Sequence, residues 1–189
     1  MNVQSNQKVQ ELFKATFELI SEKGIHNTPM SAISKRSGVA AGTIYHYFES
    51  KEMLINALYL SLKEEMIKNI MANYDSQESY KERFTRIWLN YYNYLIDNPA
   101  ILSFIEQCTN TPIILEETQK QAEAIISPLI DFFSLGIQNK IIKLKSIPLL
   151  TSLLHGSVLS LAKIKQSGQL KVTKEIKMSV VEYSWKGLT

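Results

Sequence analysis

Cysteine is nearly absent from this chain of 189 residues: only Cys108 occurs, so no disulfide can form within it. A single thiol suits a reducing compartment, and a cytoplasmic location is expected. With no second cysteine and only His26, His46 and His155 far apart in the chain, no metal-ligand spacing exists. Neither a glycine-rich phosphate loop nor a G-x-S-x-G elbow occurs. The adjacent pairs Glu64-Glu65 and Glu116-Glu117 diverge by roughly 100° on a helix and read as solvated surface rather than as an acid–base couple. These absences argue against an enzyme, a metal and a cofactor. No apolar run reaches the length of a membrane span, so no membrane partner is expected, and the opening MNVQSNQKVQELF is too polar for a secretory leader. No useful β-alternation occurs either. Proline is scarce, with five residues, and 45% of the chain is hydrophobic, which excludes a disordered polymer. Arginine is limited to Arg36, Arg83 and Arg86, and the net charge is only +3. Six Lys/Arg face four Asp/Glu up to Lys51, and fifteen face fourteen beyond it. Strong nonspecific attraction to a polyanion is therefore not expected.

What is present is helical periodicity. The apolar spacing predicts helices at about Lys8–Lys23 and Ser50–Asn73, with Glu49 and Glu52 suited to the start of the second. Further helices are expected at about Ser79–Ile96, Pro99–Cys108, Ile113–Lys140 (kinked at Pro128), Ile147–Ser167 and Thr173–Gly187. Tyr74–Glu78 and Thr109–Pro112 read as loops. The fold class is all-α.

The segment Thr28–Lys51 carries the functional signal. Thr28 is placed to cap a helix that Pro29 opens, and Met30 and Ile33 give it one apolar face, with Ser31, Lys35 and Arg36 turned away. Gly38 sits where that helix must end in a left-handed turn. Val39 then fills the angle before a second short helix, which Ile44 and Tyr47 or Phe48 anchor. Its other face offers Ala41, Gly42, Thr43, Tyr45 and His46, without a carboxylate. Such a face suits the DNA major groove, where a recognition helix reads base edges. Lys51 and the Tyr47 hydroxyl are placed for phosphates. A generic helix–glycine–helix hairpin shares the same hydrophobic pattern.

TPMSAIS, RSGVA, AGTIYHYF and SKEML, in this order and spacing, closely resemble the TetR family of bacterial transcriptional repressors. The resemblance implies a three-helix helix-turn-helix domain (1–49) and a larger C-terminal ligand-binding and dimerisation domain (50–189), about nine helices in all. It also implies a homodimer on a palindromic double-stranded DNA operator. Carried over by residue, DNA contacts fall to Ser31, Ala41, Gly42, Thr43, Tyr45, His46, Tyr47 and Lys51, with Lys35 and Arg36 as weaker backbone contacts. Ala40 and Ala41 depart from the polar or basic residues common there, which thins base reading and leaves more to DNA shape.

The resemblance also frames an effector site. Trp88, Tyr91 and Tyr92 crowd one helix, and Phe104, Gln107, Cys108, Phe132, Phe133 and His155 belong to helices that the family packs around it. Taken singly, each reads as core; as a cluster they suggest a pocket for a small apolar or aromatic effector. No basic cluster invites a strongly anionic one. Leu150, Leu154, Val158 and Leu161, with Val180, Tyr183 and Trp185, form the expected dimer seam, two helices doubled into a four-helix bundle. The expected function is a ligand-responsive DNA-binding regulator. Its rival is a helical ligand- or protein-binding module with a vestigial DNA head.

Overall fold

The computed structural model describes residues 3–109 and 111–189, with side chains described for 7–108 and 111–189. Part of the expected N-terminal polar segment and of the Thr109–Pro112 loop lies outside the described residues. Among the described residues every regular element is a helix: α1 Val3–Lys23, α2 Met30–Ser37, α3 Ala41–Tyr47, α4 Lys51–Ile70, α5 Tyr80–Asp97, α6 Pro99–Thr109, α7 Glu116–Ile125, α8 Ser127–Gln138, α9 Ile147–Gln166 and α10 Lys174–Leu188. The chain divides into two compact units, Met1–Leu62 with Ala100–Ala122, and Lys63–Pro99 with Glu123–Thr189.

Among the described residues ten helices replace the expected nine, because Pro128 breaks the 113–140 segment rather than bending it. Ile126 leaves helical geometry (φ −83°, ψ 2°), and Pro128 falls in the first turn of a new helix. There its missing N–H costs nothing, whereas inside a continuous helix it would orphan a carbonyl.

In the first unit, Leu12 and Leu19 of α1, Ile33 of α2, Val39 of the turn, Ile44 of α3 and Leu54 of α4 close one core, with Phe13, Met30, Tyr47 and Phe48 partly buried against it. Phe17 packs on Phe104 of α6 at 5.7 Å between ring centres. One expectation fails: Thr28 does not cap α2. Its hydroxyl donates back to the Gly24 carbonyl at 2.9 Å. Pro29 occupies the cap position, with no side-chain cap bond. Thr28 is fully buried, so its hydroxyl takes the carbonyl the α1 terminus leaves over.

The same unit holds a buried polar clamp that the sequence pattern did not reveal. Asn56 of α4, 2% exposed, donates to the carbonyls of Glu52 at 2.7 Å and Ile113 at 2.8 Å, and accepts from the Leu115 amide at 3.0 Å. It thereby ties α4 to the segment between α6 and α7. Asn56→Ala should lower stability by about 1–2 kcal/mol, because two backbone groups lose their partner in a half-closed site. Asn56→Leu, which keeps the branched shape, should recover little of that in urea melts; full recovery would show that packing rather than hydrogen bonding carries the clamp.

In the second unit α5 packs on α9 and α10, and α9 on α8. Phe84, Trp88 and Tyr92 of α5, Phe133 of α8, Leu150, Leu154 and Val158 of α9, and Val181 and Leu188 of α10 build its core. A reciprocal capping box, Ser79 with Glu82, starts α5. Among the described residues α9 is the one helix long and apolar enough to cross a membrane by length and composition. It is not an uninterrupted apolar run, because Thr151, Ser152, His155 and Gly156 intervene. Leu150, Leu154, Val158, Leu161 and Ala162 are buried within this unit.

Candidate nucleic-acid interface

The turn that sets α3 is built locally. Gly38 takes a left-handed conformation (φ 71°), and its amide closes α2 on the Ser34 carbonyl at 3.0 Å. A side chain here would be strained. Ser34 donates its hydroxyl to the Val39 carbonyl at 2.7 Å, and the Val39 amide donates to the Ser37 hydroxyl at 3.2 Å. The turn is thus held at three points, and buried Val39 fixes the angle at which α3 leaves.

α3 is only seven residues long, AGTIYHY, and could not stand alone. Ile44, 0% exposed, holds it down, while Tyr45 is 54% exposed. Ala41, Gly42 and His46 are also exposed, and Thr43 and Tyr47 are half-buried. The His46 and Tyr47 rings meet edge-on at 5.6 Å. Tyr47 serves the core on one side and presents its rim on the other. Ser31 and Lys35 of α2 are exposed as well.

The two remaining cationic candidates are engaged inside the unit. Arg36 makes a two-pronged bond to Glu22 of α1, both contacts at 2.9 Å, and a weaker one to Glu18 at 3.4 Å. The hydrogen bonds from Arg36 hold the Glu22 carboxylate below its ordinary range. Arg36 therefore fastens α2 to α1. Lys51 donates to the Ile25 carbonyl at 3.2 Å, leaving two ammonium protons for a phosphate.

The expected effector residues fall in both units. In the first, Phe104 and Cys108 are fully buried, and Gln107 lines a crevice beside Gly24 and His26. In the second, Trp88 is fully buried and donates its indole N–H to the Ser157 hydroxyl at 3.0 Å. Trp88 stacks on Tyr92 at 5.7 Å, and Phe132 meets Phe133 edge-on at 5.5 Å. The Tyr91 hydroxyl is in short contact with Nδ1 of His155. Burial pushes the Tyr91 phenol well up, so it keeps its proton and can donate it to that nitrogen. The Tyr92 hydroxyl is buried without a partner.

At the expected seam, Leu150, Leu154, Val158 and Leu161 point into the second unit's own core, and Val180 and Trp185 are half-buried. The apolar side chains that α9 and α10 leave exposed are Leu149 and Leu153 (46% each), Met178 and, at 75%, Tyr183. Leu153 and Tyr183 line a cavity of about 220 Å³ with Phe84. Among the described residues no cluster of three metal-ligating side chains occurs.

An all-helical chain whose short helix, set by a glycine turn, offers an exposed and uncharged face belongs to the helix-turn-helix regulators. Comparison with known proteins makes this specific. Residues 12–58 match the family described as bacterial regulatory proteins, tetR family, and residues 79–189 match the tetracyclin repressor-like C-terminal domain. The chain belongs to the TetR family, whose members are transcriptional regulators and not enzymes. It is 29% identical over 103 residues to an HTH-type transcriptional regulator of Haemophilus influenzae, a match covering 54% of this chain and 55% of that protein. The chain thus matches about half the length of that relative. A TetR-family regulator from Marinobacter aquaeolei shares the fold with a TM-score of 0.89 at 21% identity, covering 100% of this chain and 98% of that one. The transcriptional regulator FadR of Bacillus subtilis, solved in complex with stearoyl-CoA, has a TM-score of 0.74 at 21% identity, over 95% of this chain and 99% of that one.

Proposed function

We propose that the chain is a ligand-responsive repressor that binds a palindromic operator as a homodimer and is released by a largely apolar small molecule. Residues 1–49 read DNA, and residues 50–189 bind ligand and dimerise. The observation that carries this reading is α3: Ile44 is buried and holds the helix, while Ala41, Gly42, Tyr45 and His46 are exposed with no folding task. Ser31, Thr43, Tyr47 and Lys51 complete the contact surface, and Lys35 reaches a flanking phosphate. Each protomer takes one half-site, the two heads about one DNA turn, roughly 34 Å, apart. We place the dimer face on the exposed side of α9 and α10, at Leu149, Leu153 and Tyr183. An effector with differential affinity for two head spacings then shifts operator binding. A reducing, cytoplasmic setting follows from this role.

The apolar effector rests on the aromatic crowding of α5 and gains support from the acyl-CoA complex of the Bacillus subtilis neighbour. The partnerless Tyr92 hydroxyl and the Tyr91–His155 pair supply polar points to orient a head group. Genomic selection with the full chain should recover a palindromic fragment. Long-chain acyl compounds should quench or shift Trp88 fluorescence saturably and weaken the complex by about tenfold or more. Failure to enrich any fragment would favour a helical binding module with an inactive head; a silent Trp88 across the apolar panel would remove the apolar effector.

A further inference from the structure

The first unit carries a crevice of about 410 Å³ between the α1–α2 turn and α6, within the size range of small-ligand pockets. We propose that this crevice binds a small polyhydroxylated carboxylate, a sugar acid in chemical class, and that its occupancy tunes the DNA-reading head. Its lining differs in kind from the aromatic core. Lys23, His26 and Asn27 form the turn side, and Ser103, Gln107 and Thr111 form the α6 side. Among the described lining residues Ile25 is the one with an aliphatic side chain.

Two exposed bases stand on the turn side, Lys23 and His26, and they provide the seat for a carboxylate. The α6 side offers hydroxyl-binding groups. The Gln107 amide nitrogen donates to the Ser103 hydroxyl at 3.4 Å, which leaves Oε1 turned toward Gly24. Asn27 donates its amide to the Lys23 carbonyl at 3.0 Å, so its Oδ1 stays available. Acceptors alternating with a serine hydroxyl suit several ligand hydroxyls and offer an acyl chain nothing. The negative charge of Glu106 on the same side favours an acid end seated toward Lys23 and His26.

The crevice is wired to the reading head by two hydrogen bonds. The Ile25 carbonyl accepts from Lys51, a candidate phosphate contact, and the Gly24 carbonyl accepts from Thr28, next to the start of α2. A ligand that orders 23–27 therefore acts on both the Lys51 ammonium and the entry to α2. This regulatory half rests on the DNA-binding reading above; the binding half does not.

The test uses the full chain, with D-gluconate and D-galacturonate as probes, and sorbitol and hexanoate as controls. The His26 ring and Gly24 amide NMR signals should shift saturably with the hydroxy acids at millimolar concentration, and with neither control. Lys23→Met and Gln107→Leu, both at surface positions and checked by thermal melts, should each weaken binding about tenfold. No saturable shift with either acid, equal response to hexanoate, or parent-like binding by both variants overturns the site. On an operator fragment, gluconate should change affinity several-fold; tight ligand binding with unaltered operator affinity overturns the regulatory half. A chain that binds no DNA at all leaves the NMR result to decide the site alone.

Discussion

Gly136→Ala should lower the stability of the protein by about 2 kcal/mol, although alanine is the better helix former. A β-carbon at this position of α8 would overlap the Tyr80 hydroxyl and lie 2.6 Å from its Cζ and 2.9 Å from Cδ1 of Ile142. Tyr80 has nowhere to retreat. Its ring stacks on Phe132 at 4.4 Å with 12° between planes, and its hydroxyl donates to the Phe132 carbonyl at 2.8 Å. The Arg83 guanidinium covers the ring at 5.3 Å, and Trp185 lies 6.0 Å away. Relief requires either breaking that hydrogen bond or shifting the turn after α8, where the amides of Ile141 and Ile142 both donate to the Gly136 carbonyl. Overpacking costs about 1–3 kcal/mol, the lost hydrogen bond about 1, and the propensity gain returns about 1. Thermal melts should fall by about 6 °C. Tyr80→Phe alone should cost about 1 kcal/mol, yet in the Gly136→Ala background it should restore part of the stability, since the overlapping oxygen is gone while Cζ and Ile142 still crowd the new methyl. Equal melting of Gly136→Ala and the parent would refute the close approach, and simple additivity of the pair would refute its cause.

That contact illustrates where sequence reading stops. Gly24, Gly38 and Pro99 punctuate the helices where expected, because their backbone constraints are local. Likewise, Ser79 and Glu82 spell a capping box legible from their spacing. Tyr80 and Gly136 are distant in sequence, and nothing in either neighbourhood announces the other. The Arg36–Glu22 bond is hidden from the sequence for the same reason: it depends on how α2 docks on α1. The expected seam residues show a second limit. α9 is apolar on more than one side, so periodicity finds the stripe but cannot say which side faces the chain's own core. Leu150, Leu154 and Val158 fill that core, leaving Leu149 and Leu153 outside. In the reading head the reverse holds. Ile33, Val39 and Ile44 are the only Val, Ile or Leu residues in a short polar segment, so the buried face, and with it the exposed one, is legible in the sequence.

Tyr45→Ala tests that exposed face with little interference from folding. Tyr45 is 54% exposed and has no place in the head core, so its loss should change stability by no more than about 0.5 kcal/mol. In the proposed dimer the substitution falls in both half-sites at once. A lost base contact costs about 1–3 kcal/mol, so the pair should cost roughly 4 kcal/mol, about a thousandfold in operator affinity. Lys51→Met should behave differently, weakening specific and nonspecific complexes alike and making the salt dependence shallower, as loss of a phosphate contact requires. Arg36→Met supplies the contrast. Because Arg36 is already held by Glu22, its replacement should loosen α2 on α1 slightly yet leave operator affinity within about threefold. Fluorescence anisotropy on a fragment recovered by genomic selection, at two salt concentrations, separates the three patterns. Parent-like binding by Tyr45→Ala would move recognition off α3. A large loss with Arg36→Met would mean instead that the Glu22 bond opens on DNA and that α2 joins the contact surface.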